Sequence, residues 1–220
     1  MTTSSITIEG DVLTQTVPPA LPTAPDQYNS QYQDQLNNVL RLYFNTLNGL
    51  LSQLKPIPVP YGSFADTTNQ TVAAVDTATV MTFNTTDFAD KVSIVTSGGK
   101  ASRITVAAAG VYNFQWSGQF QNTTSAVHDA SIWVRKNGVD VVGSSGLVSV
   151  PSRHGSVDGH TIAGWNFLFS LVADDYIELW WETDDVGVSI QAYPAVTTPA
   201  PAVRPSTSSL VATMSFIGKV

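Results

Sequence analysis

The acidic side chains that lie closest together in the sequence form two pairs, Asp174 with Asp175 and Asp184 with Asp185. The pairs flank residues 176–183, an alternating segment that predicts one β-strand. A strand of that length separates its two ends by about 20 Å or more. The pairs are therefore too far apart to act together as glycosidase carboxylates, which lie within about 10 Å of each other. Each pair is a candidate calcium site, because oxygen clusters suit hard cations, although aspartates in exposed turns explain the pattern more simply.

The other residue types that commonly perform catalysis occur without the spacing that catalysis needs. His128, His154 and His160 show neither the H-x-x-x-H spacing nor the local glutamate of a zinc hydrolase. His154 and His160 are expected in an exposed loop, because the surrounding stretch is rich in glycine and serine. The sequence contains no cysteine, no G-x-S-x-G motif and no phosphate-binding glycine loop. It predicts that the protein is not an enzyme and needs no cofactor.

Three aromatic residues are candidates for contact with a partner. Trp133 and Trp180 alternate with aliphatic residues along two predicted strands, so they are expected on the face that does not fill the core. Exposed tryptophan with few charges nearby is typical of an interface between copies. The same residue types stack on sugars, so Tyr193, Trp180 and Trp133 are also candidates for contact with a glycan. The sequence leaves both interpretations open.

The charge balance argues against several partners. The chain has 10 basic and 17 acidic residues, a net charge of −7, and no run of lysine or arginine. Nucleic acid and anionic membranes are therefore not expected partners, because both bind through clustered positive charge. Residues 1–10 lack the pattern of a signal peptide, and no apolar run approaches the roughly 20 residues that span a bilayer. We expect a protein that is made in a cytoplasm and inserts in no membrane.

The first 60 residues divide into an arm, a helix and a spacer. Residues 1–28 include four prolines between positions 18 and 25, which favours an extended arm. Such an arm is either a disordered tail or a segment that becomes ordered when it docks on a partner, and we predict a docking arm. Residues 56–60 carry three further prolines and predict a stiff spacer.

Residues 29–55 carry the strongest helical pattern, which Asn29 or Ser30 can cap and Pro56 ends. Its apolar residues are spaced alternately by four and three, which is a heptad pattern. This seam consists of Leu36, Leu40, Tyr43, Leu47, Leu50 and Leu54. So short a helix needs a surface to pack against, either on its own domain or on copies of itself. The flanking prolines isolate it, so we predict a three-helix stem in a homotrimer.

Residues 61–220 predict β-structure throughout. Alternation is clearest in 111–120, where the aromatic residues share one face. Further predicted strands are 72–83, 91–95, 102–108, 130–136, 139–143, 165–171, 177–181, 188–193 and 210–217. Asn137-Gly138 predicts a tight hairpin, and 194–209 a long loop. Short strands with polar turns and no βαβ pattern predict an all-β antiparallel sandwich or jelly roll.

Three motifs in this region resemble, in this order, those of the C1q/tumour-necrosis-factor-like jelly roll. They are G-V-Y-N-F at 110–114, K-N-G at 136–138 and L-V-A-D-D-Y-I-E-L at 171–179. The family pattern has glycine where this chain has Asp174, so the third motif departs from it in the turn. The resemblance covers roughly residues 61–220 and implies a jelly-roll knob that forms trimers.

Residues 26–54 resemble the start of many tailed-bacteriophage virion proteins, with a P-x-x-Y pattern followed by L-x-x-V-L-x-L-Y-F. The two resemblances together imply a homotrimeric structural virion protein, a capsid decoration protein or short head fibre. Its arm would dock on a capsid or tail protein, and it would lie at the particle surface after synthesis in the host cytoplasm. The alternatives are a tail receptor-binding tip that recognises host surface polysaccharide, a secreted C1q-like binding module and, least favoured, a depolymerase.

Overall fold

A computed structural model of the chain describes residues 5–8, 11–14, 17–53, 59–198 and 203–219. These residues divide into two compact units, Met1–Ile57 and Pro58–Val220. The division falls within the predicted proline-rich spacer, of which residues 56–58 lie outside the described residues.

The first unit contains a β-hairpin and one helix. Strand β1 (Ser5–Ile8) pairs antiparallel with β2 (Asp11–Thr14), so the predicted arm is not one extended segment. Its later part, residues 17–29, has no regular structure, because proline lacks the backbone N–H that helices and sheets require. The hairpin was missed because its alternation is short and weak.

Helix α1 (Ser30–Gln53) begins at a polar cap and confirms the predicted helix. Asn29 Oδ1 accepts hydrogen bonds from the backbone N–H groups of Gln31 and Tyr32 at 2.8 and 3.3 Å. These bonds satisfy donors that have no partner within the helix. Residues of the predicted seam lie on one side of α1, because a spacing of three and four follows the helical period. Leu54, the last seam residue, lies outside the described residues.

The second unit is built from strands. They are β3 (Tyr61–Asp66), β4 (Gln70–Thr71), β5 (Thr79–Val80), β6 (Thr85–Asp90), β7 (Val92–Ser97), β8 (Lys100–Val106), β9 (Gly110–Asn122), β10 (His128–Lys136), β11 (Val139–Asp140), β12 (Gly146–Val150), β13 (Gly159–Leu171), β14 (Tyr176–Thr183), β15 (Val188–Ile190) and β16 (Leu210–Gly218).

These strands form two antiparallel sheets. The β9 sheet has the order β4-β15-β9-β16-β3-β6, and β13 pairs along the whole other edge of β9. The β14 sheet has the order β11-β10-β14-β8-β7, with β12 beside β10 and β5 beside β14. The all-β antiparallel fold predicted from the alternation is therefore confirmed.

The two sheets enclose one aromatic core. Tyr112, Phe114 and Phe120 of β9 are buried, as their shared position on one face of the strand predicts. Phe120 meets Trp181 of β14 edge to face, with ring centroids 5.9 Å apart. Contacts of this kind join the inner faces into a sandwich, and the burial of their apolar surface is its main stabilising term.

The backbone angles in the turns explain why one predicted hairpin is confirmed and one predicted strand is wrong. Asn137 and Gly138 have φ of 51° and 80°, which confirms the predicted tight hairpin between β10 and β11. The strand predicted at 72–83 is wrong: only β5 is regular there, because Asp76 turns the chain at φ 52°. The segment buries Met81 without a continuous ladder, since Met81 donates one backbone hydrogen bond to Leu179 at 2.8 Å.

Three other strand boundaries differ from the predictions. Strand β11 stops after Asp140, because Gly143 turns the chain at φ 82°, and β15 stops at Ile190. Strand β13 begins at Gly159, six residues before the predicted start. Strands β3, β6 and β12 were not predicted individually. They are short, and the polar and small residues of β3 and β6 interrupt the apolar alternation on which the predictions depend.

Candidate functional site

Trp133 and Trp180 face each other across β10 and β14 on the outer side of the β14 sheet. Both are half-buried. The guanidinium of Arg135 lies 3.9 Å from the ring centroid of Trp180 and 5.9 Å from that of Trp133, in cation–π contact. Asp140 accepts a hydrogen bond from the Trp133 indole N–H at 2.8 Å and another from Arg135. The chain's own charged side chains thus cover part of both tryptophans.

The same pairing of rings and charges continues along this sheet. The guanidinium of Arg103 lies 4.1 Å from the ring centroid of Tyr176, and its Nε is 3.3 Å from Glu178 Oε1. The buried carboxylate of Glu178 also accepts a hydrogen bond from Ser102 at 2.9 Å. This surface, which we call the ladder face, is largely partnered within one subunit. It comprises Arg103, Trp133, Arg135, Tyr176, Glu178 and Trp180.

Asp175 is buried and forms bonds within the turn before β14. Its carboxylate accepts hydrogen bonds from the Val172 backbone N–H at 2.9 Å and from Asn137 at 2.7 Å, and Lys136 Nζ lies 2.9 Å away. Burial disfavours the charged form, but these three contacts outweigh it and hold the pKa of Asp175 below its ordinary value. Asp174 is exposed at φ 69°, so it occupies a left-handed turn position where glycine is the usual residue.

The second acidic pair holds a histidine. His128 Nδ1 lies 3.1 Å from Asp184 Oδ1, and His128 Nε2 lies 3.5 Å from Asp185 Oδ2. Asp185 also accepts a hydrogen bond from the Gly187 backbone N–H at 2.7 Å. Within the described ranges, no three histidine or acidic side chains come together in a way that could hold a metal ion. The contacts of Asp175, Asp184 and Asp185 are those of aspartates that organise turns.

The outer side of the β9 sheet has a different character, because strands β9, β13 and β16 carry no charged side chain there. We call this surface the uncharged face. It comprises Val111, Asn113, Gln115, Ser117 and Gln119 on β9, Ile162, Gly164, Asn166, Leu168 and Ser170 on β13, and Val211, Thr213 and Ser215 on β16.

A shallow depression of about 450 Å³ lies in the middle of the uncharged face. Gly164 lines it, and a side chain does not fit at this position, because a Cβ atom there would lie 2.7 Å from the backbone oxygen of Trp116. Ile162 and Leu168, on the β13 border of the uncharged face, and Leu147 of β12 are each about two-thirds exposed, at 66%, 65% and 66%. We call these three side chains the apolar edge. One chain thus presents both an uncharged recess and apolar side chains that are large enough to fill such a recess.

The apolar side chains of helix α1 stay partly exposed to solvent within the first unit. None of its described side chains is fully buried, and the described seam residues from Leu36 to Leu50 are only half-covered. Leu42, Phe44 and Leu51 are exposed at 56%, 59% and 54%. A cleft of about 460 Å³ lies between residues 17–19 of the arm and the helix surface around Tyr43. The arm therefore covers only part of the helix.

Tyr193 lies at one end of the sandwich, in a cleft of about 450 Å³ formed by residues 67–69, 192–194 and 206–208. We call it the loop cleft. The Tyr193 hydroxyl lies 3.1 Å from His160 Nδ1, and the two rings meet edge to face. The prediction that His160 lies in an exposed loop is wrong, because His160 belongs to β13. Burial raises the pKa of the Tyr193 hydroxyl.

No protein-family model matches the chain, and a search of curated proteins finds no significant similarity. No helix within the described residues combines the length and the hydrophobicity that a membrane span requires. The function has to be inferred from the surfaces described above.

The uncharged face and the loop cleft were not predicted as sites. A signal for the first was present, because the residues between the aromatic positions of β9 are all small or amide side chains. The loop cleft had no such signal, since it joins residues 67–69 to residues 192–194 and 206–208, which follow more than 100 residues later in the chain. Only Tyr193 was singled out, for its residue type.

Proposed function

We propose that the chain is a homotrimeric structural protein of a tailed-phage particle, either a capsid decoration protein or a short head fibre. The uncharged face carries this proposal. Only 12% of the residues are charged, and the described outer surface of β9, β13 and β16 has none of them. Depletion of charge at the centre of a patch distinguishes protein interfaces from other surfaces.

The contact that we propose joins the apolar edge of one copy to the recess in the uncharged face of the next. Leu147, Ile162 and Leu168 would meet the recess at Gly164 and lose water there. The apolar edge and the recess occupy different positions on the subunit, so the contact is heterologous, and a heterologous contact closes into a ring when its rotation permits. Trp133 and Trp180 remain predicted interface residues, but their pairing with Arg135 makes the uncharged face the better candidate.

The helical seam supports the same assembly. A helix of 24 residues with no fully buried described side chain is marginally stable in water. Three copies packed along their seams would bury the leucines that each copy leaves half-covered. Both units of the chain therefore favour association between copies.

The path of the chain supports a jelly roll as the form of the knob. Successive long strands alternate between sheets: β8 and β10 lie in the β14 sheet, whereas β9 and β13 lie in the β9 sheet. The chain then returns to the β14 sheet with β14 and ends in the β9 sheet with β16. Such crossings between two sheets are typical of jelly rolls. The left-handed φ of Asp174 suits the glycine position of the C1q/tumour-necrosis-factor-like motif.

The order of the parts along the chain supports a role in a virion. A docking arm, a helical stem and a knob are the parts that a short fibre requires, and the start of the chain resembles tailed-phage virion proteins. A helix of this length spans about 36 Å at 1.5 Å per residue, which is short for a long tail fibre. A capsid location therefore fits better than a tail location.

The oligomeric state tests the trimer. The full chain is expected to have a mass in solution close to three times the 23.5 kDa of one chain. Ser117→Arg would place a charge in the uncharged face opposite Gly164, where the subunit has room for it. We expect this variant to assemble at least about tenfold more weakly by analytical ultracentrifugation. Ser93→Arg is the control, because Ser93 is an exposed outward-facing serine on β7 of the opposite sheet, where its cross-strand partner is Thr105.

A stable monomer, or equal weakening by both variants, would contradict the proposed interface. Far-UV circular dichroism and a thermal melt show whether each variant is folded. The particle is tested separately, by antibody labelling of purified phage from the producing strain. Label over heads supports a decoration protein or head fibre, and label at the tail tip supports the alternative of a receptor-binding tip. Secretion of free trimers without any particle would favour a C1q-like binding module.

A further inference from the structure

The loop cleft has the size and lining of a small-molecule site. Its volume of about 450 Å³ lies within the range of roughly 300–1,000 Å³ that is usual for ligand pockets. None of its lining residues carries a charged side chain, and most carry a hydroxyl or amide group. A charged ligand would lose its hydration there without gaining an opposite charge from the lining.

Several polar groups of the cleft are available to a ligand. The hydroxyl groups of Ser206, Thr207 and Ser208 have no hydrogen-bond partner within the described residues. Each hydroxyl can donate one hydrogen bond and accept others, which matches the hydroxyl groups of a sugar. Tyr193 adds an aromatic ring, which packs against the C–H groups of a sugar.

The walls of the cleft are held in place by contacts beneath them. The buried carboxylate of Asp66 accepts hydrogen bonds from the Thr68 backbone N–H at 2.7 Å and from the hydroxyl of Thr82 at 3.2 Å. The backbone oxygen of Asp66 accepts from the Ser209 N–H at 2.8 Å, which ties 206–208 to 67–69. Asn69 Oδ1 accepts from the Ala192 N–H at 2.9 Å. A cleft fixed in this way loses little conformational entropy when a ligand binds.

Tyr193 is fixed by three neighbours. Its backbone exchanges two hydrogen bonds with Thr207, at 2.9 and 2.8 Å, and its hydroxyl meets His160 at 3.1 Å. The guanidinium of Arg204, which is exposed and does not line the cleft, lies 5.8 Å from the ring centroid. The ring is therefore oriented before any ligand arrives.

We propose that the loop cleft is a binding site for an uncharged saccharide of one or two units. The proposal goes beyond the structural role proposed above, because the cleft is formed within one subunit and does not depend on the trimer or the particle. It gives the knob a recognition function at the end of the sandwich.

The experiment uses the full chain on an array of neutral and acidic saccharides, followed by saturation-transfer NMR with the neutral sugar that binds best. We expect binding to a subset of neutral sugars. Tyr193→Ala is expected to weaken it by about tenfold or more, because an aromatic contact is lost. The double variant Ser206→Ala with Thr207→Val is expected to weaken it similarly and removes only unpaired hydroxyl groups. Thr197→Val is the control, because Thr197 is exposed in the same loop but does not line the cleft.

Failure of every neutral sugar to bind would overturn the proposal, as would binding to acidic sugars alone. Binding that survives both Tyr193→Ala and the double variant would place the site elsewhere and would also overturn it. If Tyr193→Ala does not fold, the double variant decides. The mass of the chain in solution is measured on the same samples, so a failed saccharide site is distinguished from a failed trimer.

Discussion

Asp175 is a carboxylate whose charge stabilises the fold. It ties Asn137 in the β10–β11 hairpin and Lys136 of β10 to the turn that precedes β14, so one side chain joins two strand connections. Hydrogen bonds to an ionised group are among the stronger ones in proteins. The cost of such a contact is a dependence on pH.

We expect the free energy of unfolding to fall in acid because of Asp175. Its pKa is lowered in the folded state, so its contribution is fully present above the unfolded value of about 3.9 and is lost as the pH falls through the folded value. Asp175→Asn is expected to cost about 1–3 kcal/mol at neutral pH and to flatten the loss of stability in acid. Urea unfolding between pH 6 and pH 2.5 measures both effects.

Asp174→Asn is the control, since Asp174 is exposed and asparagine tolerates its positive φ. An acid profile that Asp175→Asn leaves unchanged would contradict this role.

Arg135 protects the two tryptophans of the ladder face. Arg135→Ala removes the guanidinium from above Trp180 and leaves Asp140 without its cation. We expect a loss of about 1–2 kcal/mol in the free energy of unfolding and a shift of tryptophan fluorescence to longer wavelength. Arg153→Ala should change neither, because Arg153 is exposed and its side chain has no partner within the described residues. Unchanged fluorescence in Arg135→Ala would mean that the arginine does not shield the rings.

At the scale of elements, the sequence predicted the helix and the long strands well. Strand β9 alternates through 13 residues with aromatic side chains inward, and α1 has a cap and a regular seam, so local pattern and tertiary burial agree. Segment 72–83 misled the prediction, because its apolar residues are buried by an irregular path around Asp76. The loop cleft could not be predicted, since contacts between distant loops leave no periodic signal.

The association of helix α1 through its seam can be tested apart from the rest of the chain. A peptide of residues 26–54 is expected to gain helicity as its concentration rises, because only association buries the seam. Leu40→Asn, within the seam, should abolish this dependence. Leu42→Asn should leave it largely intact, since Leu42 is off the seam and exposed. Circular dichroism with sedimentation equilibrium measures both quantities. Equal damage from the two variants would show that the seam is not the contact surface.

At the scale of the whole molecule, each of the two units leaves apolar or uncharged surface uncovered within one copy. The first unit leaves the helical seam half-covered, and the second leaves an uncharged face with an apolar edge. Each contact alone is modest in size. Two modest contacts carried by one chain reinforce each other, because the first raises the effective concentration for the second. Assembly through both surfaces is therefore expected to be much tighter than through either one.

Such an assembly makes the unfolding temperature depend on protein concentration. Association stabilises the folded state by mass action, so a hundredfold increase in chain concentration adds about 2 kcal/mol per chain for a trimer that unfolds to separate chains. For a chain of this length, that corresponds to a rise in Tm of roughly 4–8 °C. Scanning calorimetry of the full chain across that range measures it. Ser117→Arg should reduce the dependence, whereas Ser93→Arg should keep it, because only the first places a charge in the uncharged face. A Tm that stays constant across the range would mean that the copies do not dissociate on unfolding or never associate, and the mass in solution separates these two outcomes.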